Sequence, residues 1–198
     1  RANDVTSLGV QIHGGMGFIE ETGAAQHMRD ARIAAIYEGT NGIQAMDLVG
    51  RKLQGDGGAA LREFLKNVQE TATIMKAGKR GELKSIGARL AEAADATAQS
   101  VDWLLEAAKR DQNDVLAGAT PFLRQFGNVV GGFYLAKGAI AASLALGEAG
   151  ADAAWLEGKI AIADFFAENY LTEATGLTPA VTSGAKIVER LDPAQLNA

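Results

Sequence analysis

The sequence predicts an all-α fold, a helical bundle followed by a second bundle of long helices. Three observations predict it. Only three prolines (Pro121, Pro179 and Pro193) interrupt 198 residues, and the stretches between them are rich in Ala, Leu, Glu and Lys, which enter helices at little cost. Alternating β-branched runs, the mark of half-buried strands, do not stand out anywhere. Apolar residues instead recur at intervals of three and four. With 47% hydrophobic and 22% charged residues, the chain has the composition of a soluble globular protein, long enough for one ordinary domain or two small ones. A net charge of −5 offers no field for nucleic acid, and the absence of cysteine excludes disulfides and thiolate chemistry.

The opening, "RANDVTSLGVQIHGG", carries no methionine and reads as the middle of a helix, so upstream sequence is expected to be missing. Residues 1–12 are the end of a helix running into the glycine loop "HGGMG". A second helix is expected over 24–37, where Ala24, Met28, Ala31, Ala35 and Tyr37 share a face. Ile43, Met46, Leu48, Val49 and Leu53 mark a third. "QGDGG", 54–58, is the clearest linker.

Beyond it, Leu61, Phe64, Leu65, Val68, Ala72 and Met75 repeat at helical spacing. "KAGKRGE" then connects to a seam of about four heptads, from Leu83 through Ile86, Leu90, Ala93, Thr97, Val101 and Leu104 to Ala108. A long helix is expected to start with Thr120 as cap and Pro121 at the first helical position, and to run to about Gly147. Further helices are expected over 151–175 and 179–190. The stretch 126–146 is as long as a membrane span but holds Lys137, which costs roughly 2.5–3.5 kcal/mol to insert. A buried bundle helix is therefore expected there, and no transmembrane span. Trp103 and Trp155 fall at helical core spacing, and core packing is expected of both.

Two loops carry candidate chemistry. Gly14–Gly15–Met16–Gly17 lacks the preceding strand and the spacing of a dinucleotide or phosphate fingerprint. It reads either as a helix-terminating loop or as backbone open to close approach by a ligand. In "AAIYEGTNGIQ", 34–44, one acid, Glu38, ends an apolar run and precedes small residues. Spacing alone favours a solvated acid at a helix–loop–helix joint. The sharper reading is a general base at the mouth of an apolar pocket, whose desolvation would raise its pKa. Thr40 or Asn41 can cap the next helix, with Gln44 at capping-box distance from Asn41. His13 reads as a backbone-bonded spacer, His27 as surface, and Arg29, Asp30 and Arg32 as ion pairs or caps. No metal-ligand spacing and no nucleophile–base pair is present.

Taken together, "QIHGGMGF", "MRDARI" and "YEGTNGIQ" resemble the carboxy-terminal helical domain of acyl-CoA dehydrogenases, over about the first 53 residues. The family pattern is Gln-x-x-Gly-Gly-x-Gly-Phe/Tyr, an Arg-Asp-Ala helix and a Tyr-Glu-Gly-Thr-x-x-Ile-Gln loop. The resemblance implies FAD as cofactor and an acyl-CoA thioester as substrate. It implies Glu38 as the catalytic base that takes the α-proton while hydride passes from the β-carbon to the flavin. It also implies Gly39 beside the substrate, Thr40, Asn41 and Gly42 against FAD, and Gln11, Ile12, His13, Gly14 and Gly15 at its adenosine end. Gly42 departs from the longer polar residue that many relatives carry. Residues 121–142 look like the extra helical domain of larger bacterial members. The implied organisation is 1–53 with the flavin loop and base, a linker at 54–58, and an additional bundle over 59–198.

By the same resemblance, the partners are an electron-transfer flavoprotein and further copies of the chain, as a homodimer or homotetramer, with no nucleic acid, and the location is cytoplasmic. The isolated piece is expected to be inactive. Two alternatives stay open: a non-catalytic helical oligomerisation module, against which Glu38 argues, and an acyl-CoA oxidase of the same fold.

Overall fold

In the computed structural model of the chain, the described residues are 2–190, 192, 194 and 195. Arg1, Pro193 and the last residues of the expected 59–198 bundle lie outside them. Among the described residues every regular element is helical, as the composition predicts. Two compact units form, Arg1–Gln44 and Ala45–Ala198.

In the first unit, α1 (Ala2–Ile12) packs on α3 (Ala24–Ile33), and the single turn α2 (Gly15–Phe18) joins them. Among its described residues only Gly17 and Ala25 are buried, while Val5, Leu8, Ile12, Phe18, Ile33 and Ile36 are exposed. α3 stops four residues short of the expected Tyr37. Its end tightens into three-residue-step bonds, Ala35 N–H to Arg32 O and Ile36 N–H to Ile33 O, and Glu38 and Gly39 then turn left-handed, which no helix continues through.

The first stretch of the second unit runs as one helix with a wide turn: α4 (Asn41–Asp47, whose first four residues belong to the first unit), a π-turn at Leu48–Lys52, and α5 (Leu53–Gly55). Gln54 and Gly55 of the expected linker thus close a helix, and Gly57 and Gly58, at φ 64° and 80°, make the turn. α6 (Ala59–Ala77) and α7 (Gly81–Ala108) follow as an antiparallel pair. The expected seam of α7 is buried from Leu83 to Leu104, but Ala107 replaces Ala108 at its end. A short helix missed from the sequence, α8 (Gln112–Ala117), is capped by the Asp111 carboxylate, which accepts from Asn113 N–H at 2.9 Å.

α9 (Ala119–Ala145) begins after Gly118, so Thr120 is not its cap. Thr120 and Pro121 take its second and third positions, where a missing N–H is tolerated because it has no helical acceptor. By length and composition this one helix could cross a membrane. It is instead a bundle helix whose face from Phe122 through Val129 to Ala142 is buried, with Lys137 exposed. The last two expected helices are one: α10 (Ala153–Phe166), a π-turn at Ala167–Leu171 and α11 (Thr172–Thr182), followed by the single turn α12 (Lys186–Glu189). Pro179 lies inside α11 and starts nothing. The π-turn is held from α9: Asn128 donates to Tyr170 O at 3.2 Å and the fully buried Gln125 to Ala174 O at 2.7 Å, serving carbonyls on and just past the widened turn.

Two cores result. One lies among α6, α7, α9, α10 and α11, around Met75, Leu90 and Ile160; the other gathers Val49, Leu53, Leu104, Val115 and Phe122. Trp103 packs half-buried on the second core, but Trp155 does not pack in either and is 59% exposed. It lies with Tyr134 of α9 on an open groove, which the spacing alone could not reveal.

Candidate functional site

Glu38 stands where α3 has run out and α4 has not begun. It is the only non-glycine described residue with positive φ, at 55°, and Gly39 follows at 87°. Two successive left-handed residues reverse the chain, so that Asn41 N–H donates back to Ala35 O at 3.3 Å. The Gln44 side-chain amide reaches back to the Glu38 carbonyl oxygen at 2.8 Å. A Cβ added at Gly39 would lie 3.3 Å from that amide and 3.4 Å from Ile43, so the turn accepts glycine and little else there. The Glu38 side chain is exposed.

Thr40 is the cap of α4. Its hydroxyl accepts from Ile43 N–H at 3.4 Å, and its carbonyl accepts from Gln44 N–H at 2.9 Å. Gln44 does not complete the expected capping box with Asn41, because Thr40 is the cap and the Asn41 N–H donates to Ala35 O instead. The Gly42 N–H, at the second helical position, points from a helix start where the backbone dipole is positive.

The other loop is built separately. Gly14, at φ 62°, closes α1 by donating to Gln11 O at 3.0 Å, and His13 Nδ1–H donates to Gly9 O at 2.8 Å. That bond leaves Nε2 of His13 outward, which agrees with a backbone-bonded spacer. Gln11, Ile12, His13, Gly14 and Gly15 are all exposed, and a Cβ at Gly14 or Gly15 would meet nothing within 4 Å. Gly17 is the opposite case: a Cβ there would strike Val10 O and lie 2.8 Å from His13 Cβ, so it fixes how α2 folds back on α1. The sequence reading missed this, and the sign available was a third glycine where two suffice to end a helix. Thr22 ties the loop shut by donating to Met16 O at 2.7 Å, and Arg29 pairs with Glu20 at 3.4 Å. His27 is exposed as expected. Among the described residues no hydrogen bond joins the two loops; Glu38 to Gly42 and Gln11 to Gly15 are two separate structures on one small unit.

Comparison with known proteins gives two family-model matches along the chain. The family model described as acyl-CoA dehydrogenase, C-terminal domain, matches residues 1–53, and the one described as acetyl-CoA dehydrogenase C-terminal like matches residues 64–192. The chain is 50% identical to 3-methylmercaptopropionyl-CoA dehydrogenase of Ruegeria pomeroyi over 175 residues, 88% of this chain and 29% of that one. It is 35% identical to the broad-specificity linear acyl-CoA dehydrogenase of Mycobacterium tuberculosis over 191 residues, 92% of this chain and 30% of that one. The pig mitochondrial short-chain specific acyl-CoA dehydrogenase is 47% identical over only 53 residues, 27% of this chain and 13% of that one. The chain thus spans about three tenths of the length of the first two of these relatives. A family model covering residues 64–192 takes in well over half of these 198 residues, and with it the chain belongs to the acyl-CoA dehydrogenase family.

Proposed function

We propose that the chain is the carboxy-terminal part of an FAD-dependent dehydrogenase that introduces an α,β double bond into an acyl-CoA thioester. The observation that carries this is Glu38, a carboxylate held at φ 55° by a neighbour's side chain immediately before a capped helix start. A solvated joint has no need of that strain, because Gly at 38 would make the same turn without it. Glu38 removes the α-proton, and its carboxylate becomes the carboxylic acid. Gly39 leaves room for the thioester beside that oxygen. When bound, FAD supplies the hydride acceptor for the β-carbon.

The residues present fit that cofactor. Thr40 offers a hydroxyl, Asn41 a side-chain amide, and Gly42 a backbone N–H at a helix start with no side chain over it. Gln11, Ile12 and His13 present exposed side chains, and Gly14 and Gly15 an open backbone, at an edge suited to the adenosine end. Residues 1–53 then carry the flavin loop and the base, 54–58 the turn, and 59–198 an additional bundle. Electron-transfer flavoprotein as acceptor, a homodimeric or homotetrameric assembly and a cytoplasmic location belong to the same proposal. The exposed apolar side chains of the first unit support a piece that works inside a larger enzyme.

The test is the visible spectrum of the enzyme that contains this chain, titrated without oxygen against a panel of acyl-CoA thioesters. Bleaching of the flavin band by at least one saturated thioester is expected. A yellow protein that none of them bleaches contradicts the proposal.

A further inference from the structure

We propose that the groove between α9 and α10 binds one single-chain, apolar-tailed anion of the fatty-acid type, its tail along the groove floor and its head at Lys159. The inference is independent of the reading of Glu38. The groove is a cavity of about 520 Å³ in the second unit. That size falls within the ~300–1,000 Å³ usual for small-molecule sites. Its floor is made of Gly138, Ala141, Ala142 and Ala145, one stripe of α9, and its walls include Tyr134 and Trp155.

Those walls are large, aromatic and open to solvent, at 62% and 59% exposure. From Tyr134 to Ala145 the stripe is ~16 Å long at 1.5 Å per residue, about the length of an extended twelve-carbon chain.

Charge decides which amphiphile fits. Lys159 lines the groove with its Nζ 4.9 Å from the centre of the Trp155 ring, and no carboxylate pairs with it among the described residues. Lys137, on the same helix as the floor, lies 5.4 Å from the Phe133 ring and likewise has no carboxylate partner there. On other faces of this bundle Arg80, Arg89 and Arg124 are each held by acids. A tail with an anionic head therefore meets a complementary charge, and a tail with a cationic head meets repulsion. A second copy of the chain fits less well, because a two-fold contact through this face gathers four unpaired lysines.

Isothermal titration of the whole chain with sodium dodecanoate, kept below its micelle concentration, tests the proposal. The tryptophan emission of a Trp103→Phe variant, which leaves Trp155 as the only reporter, gives a second readout. One saturating site is expected, with Trp155 emission changing in step and dodecyltrimethylammonium binding at least tenfold more weakly. Lys159→Glu should weaken dodecanoate at least tenfold. Gly138→Phe and Ala141→Phe, both at exposed helical positions, should abolish binding while leaving the circular dichroism unchanged. Equal binding of the two amphiphiles overturns the proposal, as does undiminished binding by both groove-filling variants. So does a dimer that Gly138→Phe dissociates while free dodecanoate fails to bind, or attachment to anionic vesicles without binding of the free acid.

Discussion

The side-chain amide of Gln44 donates to the carbonyl oxygen of Glu38 at 2.8 Å, and so holds in place the one non-glycine described residue with left-handed backbone. Such a conformation costs a residue with a side chain about 1–3 kcal/mol. Replacing Glu38 by glycine removes that strain, partly offset by a looser unfolded chain. Glu38→Gly should therefore leave the protein as stable or more stable, by up to about 1 kcal/mol. Urea denaturation measures this. A variant less stable than the wild type means that the side chain itself holds the fold, and the case for a strained functional residue fails.

At Gly87 α7 lies close against α6: an added Cβ would lie 2.8 Å from Ala72 O and 2.9 Å from Met75 Cβ. Gly87→Ala should cost about 1–3 kcal/mol, because a backbone oxygen cannot step aside as a side chain can. Gly127, on the exposed face of α9, has nothing within 4 Å, and Gly127→Ala should gain about 0.5–1 kcal/mol from helix propensity. The pair of melting temperatures should move in opposite directions. A shift of both in one direction contradicts this packing of α6 on α7.

The long helices were legible because their burial is periodic: the Leu83 to Leu104 seam repeats in the structure nearly residue for residue. The breaks were less legible. A π-turn inserts one residue and rotates the pattern by about 100°. The one at Ala167–Leu171 falls inside the helix expected over 151–175 and went unread, while a new helix was expected from 179, a position that lies inside α11. The true determinants, Gln125 and Asn128, sit about 45 positions away on α9. Trp155 misled because helical spacing says that a face exists but not what lies against it. At the site, the sequence supplied Glu38 and the cap at Thr40. It did not supply the Gln44 bond, which forms only once Glu38 and Gly39 have turned the chain back.

Asp164 gives the stability a pH dependence of known sign. Burial chiefly, and then the charges of Glu168 and Glu82, push its carboxyl above the ordinary value of 3.8. Its Oδ1 is buried without a hydrogen-bond partner, while the neighbouring Arg80 and Arg89 bind Glu157, Glu82, Glu168 and Glu92 instead. A raised acid keeps its proton in the folded state after the unfolded chain has released it, so stability falls as pH rises through the folded value. Below the ordinary value both states are protonated and the penalty is gone. Asp164→Asn should thus be more stable than wild type at pH 7, with the difference shrinking as pH falls to 3.8 and below. Urea midpoints at neutral and acidic pH measure it, and a variant that is less stable at pH 7 contradicts the placement of Asp164.

Residues 1–198 alone should bind FAD weakly. The few amide and hydroxyl contacts that the two loops offer contribute about 0.5–1.5 kcal/mol each. Association costs ~4–15 kcal/mol before any of them counts. Equilibrium dialysis of the purified chain against FAD should recover little bound flavin. A stoichiometric yellow protein with micromolar affinity means that these loops carry most of the cofactor site.

The central claim is that Glu38 is the base, and Glu38→Gln in the enzyme that contains this chain tests it most directly. The amide keeps the shape, the left-handed turn and the Gln44 bond to the backbone, and removes only the proton acceptor. General base catalysis is worth about 10²–10⁴-fold, and a weakly acidic α-proton places the loss at the upper end or beyond. Turnover of an acyl-CoA thioester, measured beside the flavin content of the same sample, should fall by at least that order while the flavin stays bound. A flavin-loaded variant that keeps more than about a tenth of wild-type turnover contradicts the account, because a step that survives loss of the carboxylate does not depend on it.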